Sequence, residues 1–441
     1  MCAKIKTQYI VLVSTLTALA FSSNAQTTSL ADPKSSKEIS PYSRYGIGLL
    51  SDNKQATVRG AGGTASGYID PIGVNSYNPA SYSFLAATAL EFGIEARSRN
   101  ILMNNQSVSS GTLTISYFNL GFSAGKHAGF SVGFTPLSNI YYLTSDSASV
   151  PGLGTVGNNY EGKGSLQYAY FGLAGKVKGL SAGFNFGYAF GNLRNTSTMY
   201  VIDTLAPARS AEFTTRNSMG GIYWKGGLMY KADIKKNRYL NIGATATLSQ
   251  NLNINRDEYQ IARSYDYDNQ LITRDTVNRH YGAKGKLTLP AEYSIGVHVG
   301  KQFNWDVGVD FVYSDWKNYR NFGLRDSVAD AAWRLGAGAE ITPDPAAKGK
   351  YFSTVTYRLG AYYGKDYISM RGTQIGYMGA TLGLSFPFKR SNTNNQIGRI
   401  HTSLDIGRRG TVDNGLAREF FTKFTLAFSL NDIWFKKYRI D

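Results

Sequence analysis

From Ala87 to Leu430 the chain returns again and again to a period of two. Leu240, Ile242, Ala244, Ala246 and Leu248 share one face of an extended stretch, and Asn241, Gly243, Thr245, Thr247 and Ser249 share the other. Tyr293, Ile295, Val297 and Val299 alternate with Ser294, Gly296, His298 and Gly300. Phe420, Thr422, Phe424, Leu426, Phe428 and Leu430 alternate with Phe421, Lys423, Thr425, Ala427 and Ser429. Successive side chains of a strand point to opposite faces of its sheet. One face here is apolar and the other small or polar, the pattern of a barrel in lipid. A soluble sandwich also alternates, so no single strand decides between them.

The connections do. Fourteen strand-length segments are expected, and the gaps between them alternate in kind. One set holds tight or small polar turns, such as Gly125-Lys126-His127, Lys178 and Lys301–Asn304. The other holds longer loops at 100–110, 144–160, 193–213, 257–287 and 318–329, and Tyr265–Arg279 has room for an extra hairpin. Short periplasmic turns and longer external loops characterise outer-membrane barrels, and an even strand number places both termini in the periplasm. No apolar run after the N-terminal one is long enough for a membrane helix, so a membrane location requires a closed barrel. The composition of 31 Tyr, 23 Phe and 48 Gly against 11 Pro agrees with that.

The N-terminus reads as a secretory signal over 1–25. Lys4 and Lys6 precede the apolar run Tyr9 to Phe21, and Ser23-Asn24-Ala25 offers a small-residue cleavage site. The single cysteine, Cys2, would leave with it, which excludes disulfides, Cys-ligated zinc and thiol catalysis in the mature chain. The formal charge of +17 suits lipopolysaccharide phosphates or anionic headgroups. No zinc-finger, RNP or basic-helix signature supports nucleic acid.

Residues 26–86 form a polar extension followed by a segment of another kind. Arg59 to Phe84 is interrupted by Gly60, Gly62, Gly63, Gly67 and Gly73 and stiffened by Pro71 and Pro79. It still carries Tyr68, Ile69, Ile72, Val74, Tyr77 and Tyr82, too much apolar surface for a solvated linker. The expectation is irregular chain packed as a plug inside the bore of the barrel at 87–430, with 431–441 a periplasmic tail.

Several apparent catalytic motifs carry little weight. GxSxG occurs around Ser123, Ser131 and Ser181, but inside alternating strands rather than at a strand-to-helix turn. Gly152–Gly157 matches GxGxxG with no helix after it. His127, His280, His298 and His401 lack metal-ligand spacing, and Asp266 and Asp268 sit in a loop without a calcium-binding pattern. No enzyme activity, metal or cofactor is expected. Tyr141, Tyr142, Trp224, Trp305, Trp316, Tyr319, Trp434 and Tyr438 lie near strand ends and read as interfacial girdles.

Arg59-Gly60-Ala-Gly62-Gly63 followed by Asn78-Pro79-Ala80 resembles the N-terminal hatch of the FadL family of outer-membrane transporters for hydrophobic compounds. Leu289-Pro290-Ala291-Glu292 resembles that family's mid-barrel strand start. The resemblance implies an all-β fold, a 14-stranded antiparallel transmembrane β-barrel with the hatch in its lumen. It also implies passive uptake of long-chain fatty acids or other hydrophobic small molecules, with lateral exit at a kinked third strand. Pro136 lies in the third strand here, and a proline cannot donate to a ladder; the strand either kinks there or ends. The hatch and gating residues are then Arg59, Gly60, Gly62, Gly63, Asn78, Pro79 and Ala80, with Asn78 bonding backbone freed by the proline or the kink.

The chain departs from the family in its charged lumen face: Glu91, Glu95, Arg97, Lys225, Asp306, Asp310 and Arg334. These either pair with each other and with hatch residues such as Arg59 and Asp70, or line a wet pore. Three functions stay open: the hydrophobic-compound transporter; a barrel subunit of a secretion or assembly complex, as PorV is in type IX secretion; and a polar-solute porin.

Overall fold

The computed structural model describes residues 39–432 apart from 153, 203–208, 235–236, 266–270 and 390–396. The expected signal over 1–25, the tail beyond Asp432, Asp266, Asp268, Trp434 and Tyr438 lie outside the described residues. Among those described, fourteen antiparallel strands close into a ring. They are β1 Thr88–Met103, β2 Gln106–Ala124, β3 Ala128–Val150, β4 Gly154–Val177, β5 Leu180–Val201 and β6 Arg209–Ile234. Next, β7 runs as Arg238–Thr247 and Gln250–Tyr265, and β8 as Leu271–Leu289 and Ala291–Lys301, broken at Pro290. The ring is completed by β9 Trp305–Asp315, β10 Ala331–Ile341, β11 Thr356–Met370, β12 Thr373–Lys389, β13 Ile397–Gly410 and β14 Arg418–Asp432. Each strand pairs with its neighbours in sequence, and β14 pairs with β1 from Arg418–Leu102 to Asp432–Thr88, which closes the barrel.

The alternation falls as expected. Ile242, Ile295, Val297, Phe420 and Phe428 face outward and exposed, while Asn241, Thr245, Ser294, His298, Thr425 and Ser429 face inward and buried. An apolar exterior over buried polar groups has a low energy in hydrocarbon and a high one in water.

The expected long loops turn out otherwise. Most of 100–110, 144–160, 193–213 and 257–287 is paired strand, continuing the same hairpins beyond the apolar belt. β1 and β2 turn at Asn104 and Asn105, both with φ near +55° (50° and 61°), the conformation a two-residue hairpin needs. Among the described residues of 257–287 there is no extra hairpin; β7 and β8 pair through them, with register shifts on the way. Above the belt the outer face of a strand no longer meets lipid, so the alternation of hydrophobicity fades although the pairing does not.

Residues 39–86 lie within the ring and meet it all the way round. Residues 39–51 form a strap at the hairpin end. A short helix, α1 (Ala56–Gly60), packs on β11–β14, and the 3-10 turn Pro79–Phe84 packs on β2–β6. Ser66 and Gly67 reach β7, β8 and β9.

Candidate functional site: the hatch, its wall and the seam beside β3

The hatch follows from its glycines. Gly62 has φ +65° and Gly63 φ +72°, a region that glycine alone enters freely. A Cβ on Gly60 would sit 2.7 Å from Gly383 Cα, so the backbones touch. The wall is glycine where it receives the hatch: Gly338 and Gly360 face Ala61 and Gly62, Gly243 faces Ser66, and Gly183 and Gly227 face Pro79 and Asn78.

All seven lumen charges singled out above have polar partners here. The Arg59 guanidinium pairs with Glu95, donates from Nε to Lys54 O at 2.7 Å, and lies 3.3 Å from Thr425 Oγ1. Glu95 is shared with Arg97. Asp310 Oδ2 accepts from the backbone N–H groups of Ala65 and Ser66, both at 2.7 Å. Asp306 holds His298 Nδ1 at 2.6 Å, and His298 Nε2 stands 3.7 Å from Asp310. Arg334 donates to Gly62 O at 2.9 Å. Lys225 lies over the Tyr77 ring at 3.5 Å and 3.4 Å from Glu292. The seventh, Glu91, accepts from Val74 N at 3.2 Å through one oxygen, while the other is buried with no partner among the described residues. Of the two arrangements open to these charges, anchoring of the inserted segment is the one found. Asp70 takes no part in it: its carboxylate accepts from Ile72 N within the hatch.

Asn78 bonds differently from the expectation. Its amide donates to Ser66 O at 2.6 Å and to Leu228 O on β6 at 3.3 Å, and its carbonyl caps Ala80 N at 3.0 Å; none of these partners is on β3. Pro79 opens the 3-10 turn that Asn78 caps, and Ala80 O accepts from Ser181 at 2.7 Å. Lys54 sits beside the hatch; burial pushes its ammonium down to about 8, and Asp52, 3.7 Å away, works against that.

At Pro136 the third strand kinks and continues. The β3–β4 register shifts between Pro136 and Ser138, and the β2–β3 ladder ends at Phe118–Phe134. Beyond that point a seam separates β2 from β3, and the strap fills it. Leu49 and Leu50 pair with Asn139 and Ser138 of β3, Ser51 N donates to Leu137 O at 2.9 Å, and Ser40 N to Tyr141 O at 2.9 Å. Ile39 N reaches Ser110 on β2 at 2.9 Å.

The strap also caps the hairpin end of the bore. Tyr42, Ile47, Ile140, Leu166, Trp316 and Tyr367 share one buried apolar cluster there. Trp316 stacks on Tyr367 with centroids 3.8 Å apart, and Trp316 and Tyr319 are both fully buried. They, and the buried Tyr142, are core of the plugged mouth rather than girdle. Trp224 and Trp305 do stand on the outward face, in line with Leu228 and Val307.

Two cavities among the described residues bear on this site. One of about 290 Å³ lies between strap and hatch against the seam, lined by Leu50, Leu137, Leu166 and Tyr223 together with Arg334 and Lys423. A wider one of about 980 Å³ opens at the turn end beneath Tyr68, Asp70 and Arg358. Glu292, His298, Glu340, Arg99 and Glu419 extend the polar lining and escaped the sequence reading. Strand parity puts each on the inner face, but only the pairing of strands shows what it meets.

Barrel, inserted segment and interrupted third strand together give a 14-stranded barrel fold of the FadL type. The fold is similar to a Pseudomonas aeruginosa FadL homologue (TM-score 0.54, 11% identity, 88% of this chain and 99% of that one). It is similar to the monoaromatic hydrocarbon channel CymD (0.53, 13%, 86% and 98%) and to the Ralstonia pickettii toluene transporter TbuX (0.51, 14%, 85% and 97%). Comparison with curated proteins gives no match. The chain belongs to the BamG family, whose model matches residues 5–441.

Proposed function

We propose that this barrel sits in the outer membrane, turn end to the periplasm, and passes a hydrophobic small molecule sideways between its bore and the lipid at the β2–β3 seam. One observation carries the reading: the ladder stops at Phe118–Phe134, and the cavity behind the opening is held shut by the strap. Leu137, Leu166 and Tyr223 suit an apolar body, and Arg334 and Lys423 suit one anionic end, as in a long-chain fatty acid. Transfer is diffusive and has no covalent step. Arg59, Gly60, Gly62, Gly63, Asn78, Pro79 and Ala80 hold the hatch that denies water the bore, and Pro136 sets the seam.

The test locks the strap. Leu50 and Ser138 are register partners, so their Cα atoms lie within the reach of a disulfide. In cells or vesicles, a Leu50→Cys/Ser138→Cys variant should lose uptake of a labelled fatty acid or toluene when oxidised and regain it when reduced. Equal uptake in both states would overturn lateral release.

A second reading is a subunit of a secretion or assembly complex. It is favoured by the hydrogen-bonded strap and the bonded hatch, which tie the inserted segment to the wall from β3 to β10. Under that reading neither redox state transports, and the locked protein still co-purifies with partner proteins.

A further inference from the structure

We propose that the outward face of β4–β8, just above the apolar belt, binds lipopolysaccharide of the outer leaflet through its lipid A phosphates. The belt on this side ends with Phe171, Phe190, Ile222 and Leu248, all exposed outward. A few positions further along the same strands the outward residues become basic or amide-bearing. Lys163, Arg194 and Arg216 stand directly opposite one another on β4, β5 and β6, and Asp257 ends the row on β7 opposite Arg216. Like charges so placed repel, and a sheet face under no other demand alternates their signs. Glu161 lies 3.0 Å from Lys163, but Glu212 is 3.9 Å from Arg194 and already held by Arg263 at 2.9 Å. One register step nearer the belt, Asn192, Ser218, Asn255 and Lys284 are aligned across β5–β8, and Asn253 faces Lys286 below them.

Guanidinium and ammonium groups match phosphate oxygens, and the Asn and Ser side chains match sugar hydroxyls. The apolar residues beneath match acyl chains. A free anion would use only the upper part of this surface; a phosphorylated glycolipid uses all of it. The inference goes beyond the transport reading, because the face lies outside the bore.

The experiment uses the full-length protein in mild detergent, with native mass spectrometry of retained and re-added bisphosphorylated lipid A. Combined Arg194→Gln, Arg216→Gln, Lys284→Gln and Lys286→Gln should lower retention about tenfold or more, the scale on which losing a few charge-assisted contacts registers. Neither phosphatidylglycerol nor free phosphate should displace lipid A from the wild type. Undiminished retention by the variant, equal binding of phosphatidylglycerol, or displacement by free phosphate would each overturn the proposal. Heat-modifiable migration on gels reports folding. Should the fourfold variant not fold, Lys284→Gln/Lys286→Gln alone carries the test, with a smaller loss expected and no loss overturning it. Uptake through the seam is read separately, so either proposal can fail without the other.

Discussion

At the scale of single residues, the lumen charges hold the inserted chain by complementary bonding. Glu95 serves Arg59 of the hatch and Arg97 of its own strand at once. Glu95→Leu would therefore take a shared carboxylate from two guanidinium groups and should cost about 3–5 kcal/mol, whereas Arg59→Met leaves Glu95 its second partner and should cost less. Urea titration in detergent would rank the two; the reverse order would show that Arg97 contributes little. Asp310→Asn weakens two backbone contacts and should loosen the hatch by about 1–3 kcal/mol. Faster hydrogen exchange at Ala65 and Ser66, with the barrel strands unchanged, is the expected signature. That these charges face inward was legible in the sequence, because alternation fixes parity. Their partners were not: His298 read as an isolated histidine until strand pairing set it between Asp306 and Asp310.

At the scale of elements, the third strand changes its side-chain phase at the shift between Pro136 and Ser138. Beyond it Ile140 and Tyr142 point inward, into the cluster that caps the bore. Deleting Leu137 removes the extra residue while Ser138, Ile140 and Tyr142 keep their partners Leu166, Gly164 and Gly162 on β4, so regular alternation from Thr135 should still carry both inward. A cysteine at position 142 should then stay protected from a lipid-phase reagent in the deletion as in the parent chain; labelling in the deletion alone would show that the shift itself holds the phase. The strand segments themselves were readable, and each of the fourteen recurs at its expected place. What could not be read is where they end. Ser107, Ser109 and their neighbours pair in hairpins above the belt, where no lipid writes a pattern into the sequence. Trp316 and Tyr319 were misread for a related reason: a tryptophan near a strand end suits an interface, and only the strap shows that this end is filled.

At the scale of the molecule, strap and hatch cross the bore at two levels. Purified protein in a planar bilayer should therefore pass no steady ion current; a stable open-channel current would mean that the hatch leaves its site readily and would revive the porin reading. Hatch, lumen and third strand were foreseeable because glycine spacing, parity and one proline are local facts. The strap in the seam was not, since nothing within 39–51 announces a partner on β3.

The course of residues 39–86 has a further consequence for how the protein is made. This length of chain is tied to β3 near one rim, to Asp310 and Gly383 midway, and through Ile72 to Asn431 near the other. A cylinder that had already zipped β14 to β1 would have to admit it by threading from one mouth to the other. Wrapping avoids that: the early strands gather around a core laid down first, and the joint between first and last strand is sewn up at the end.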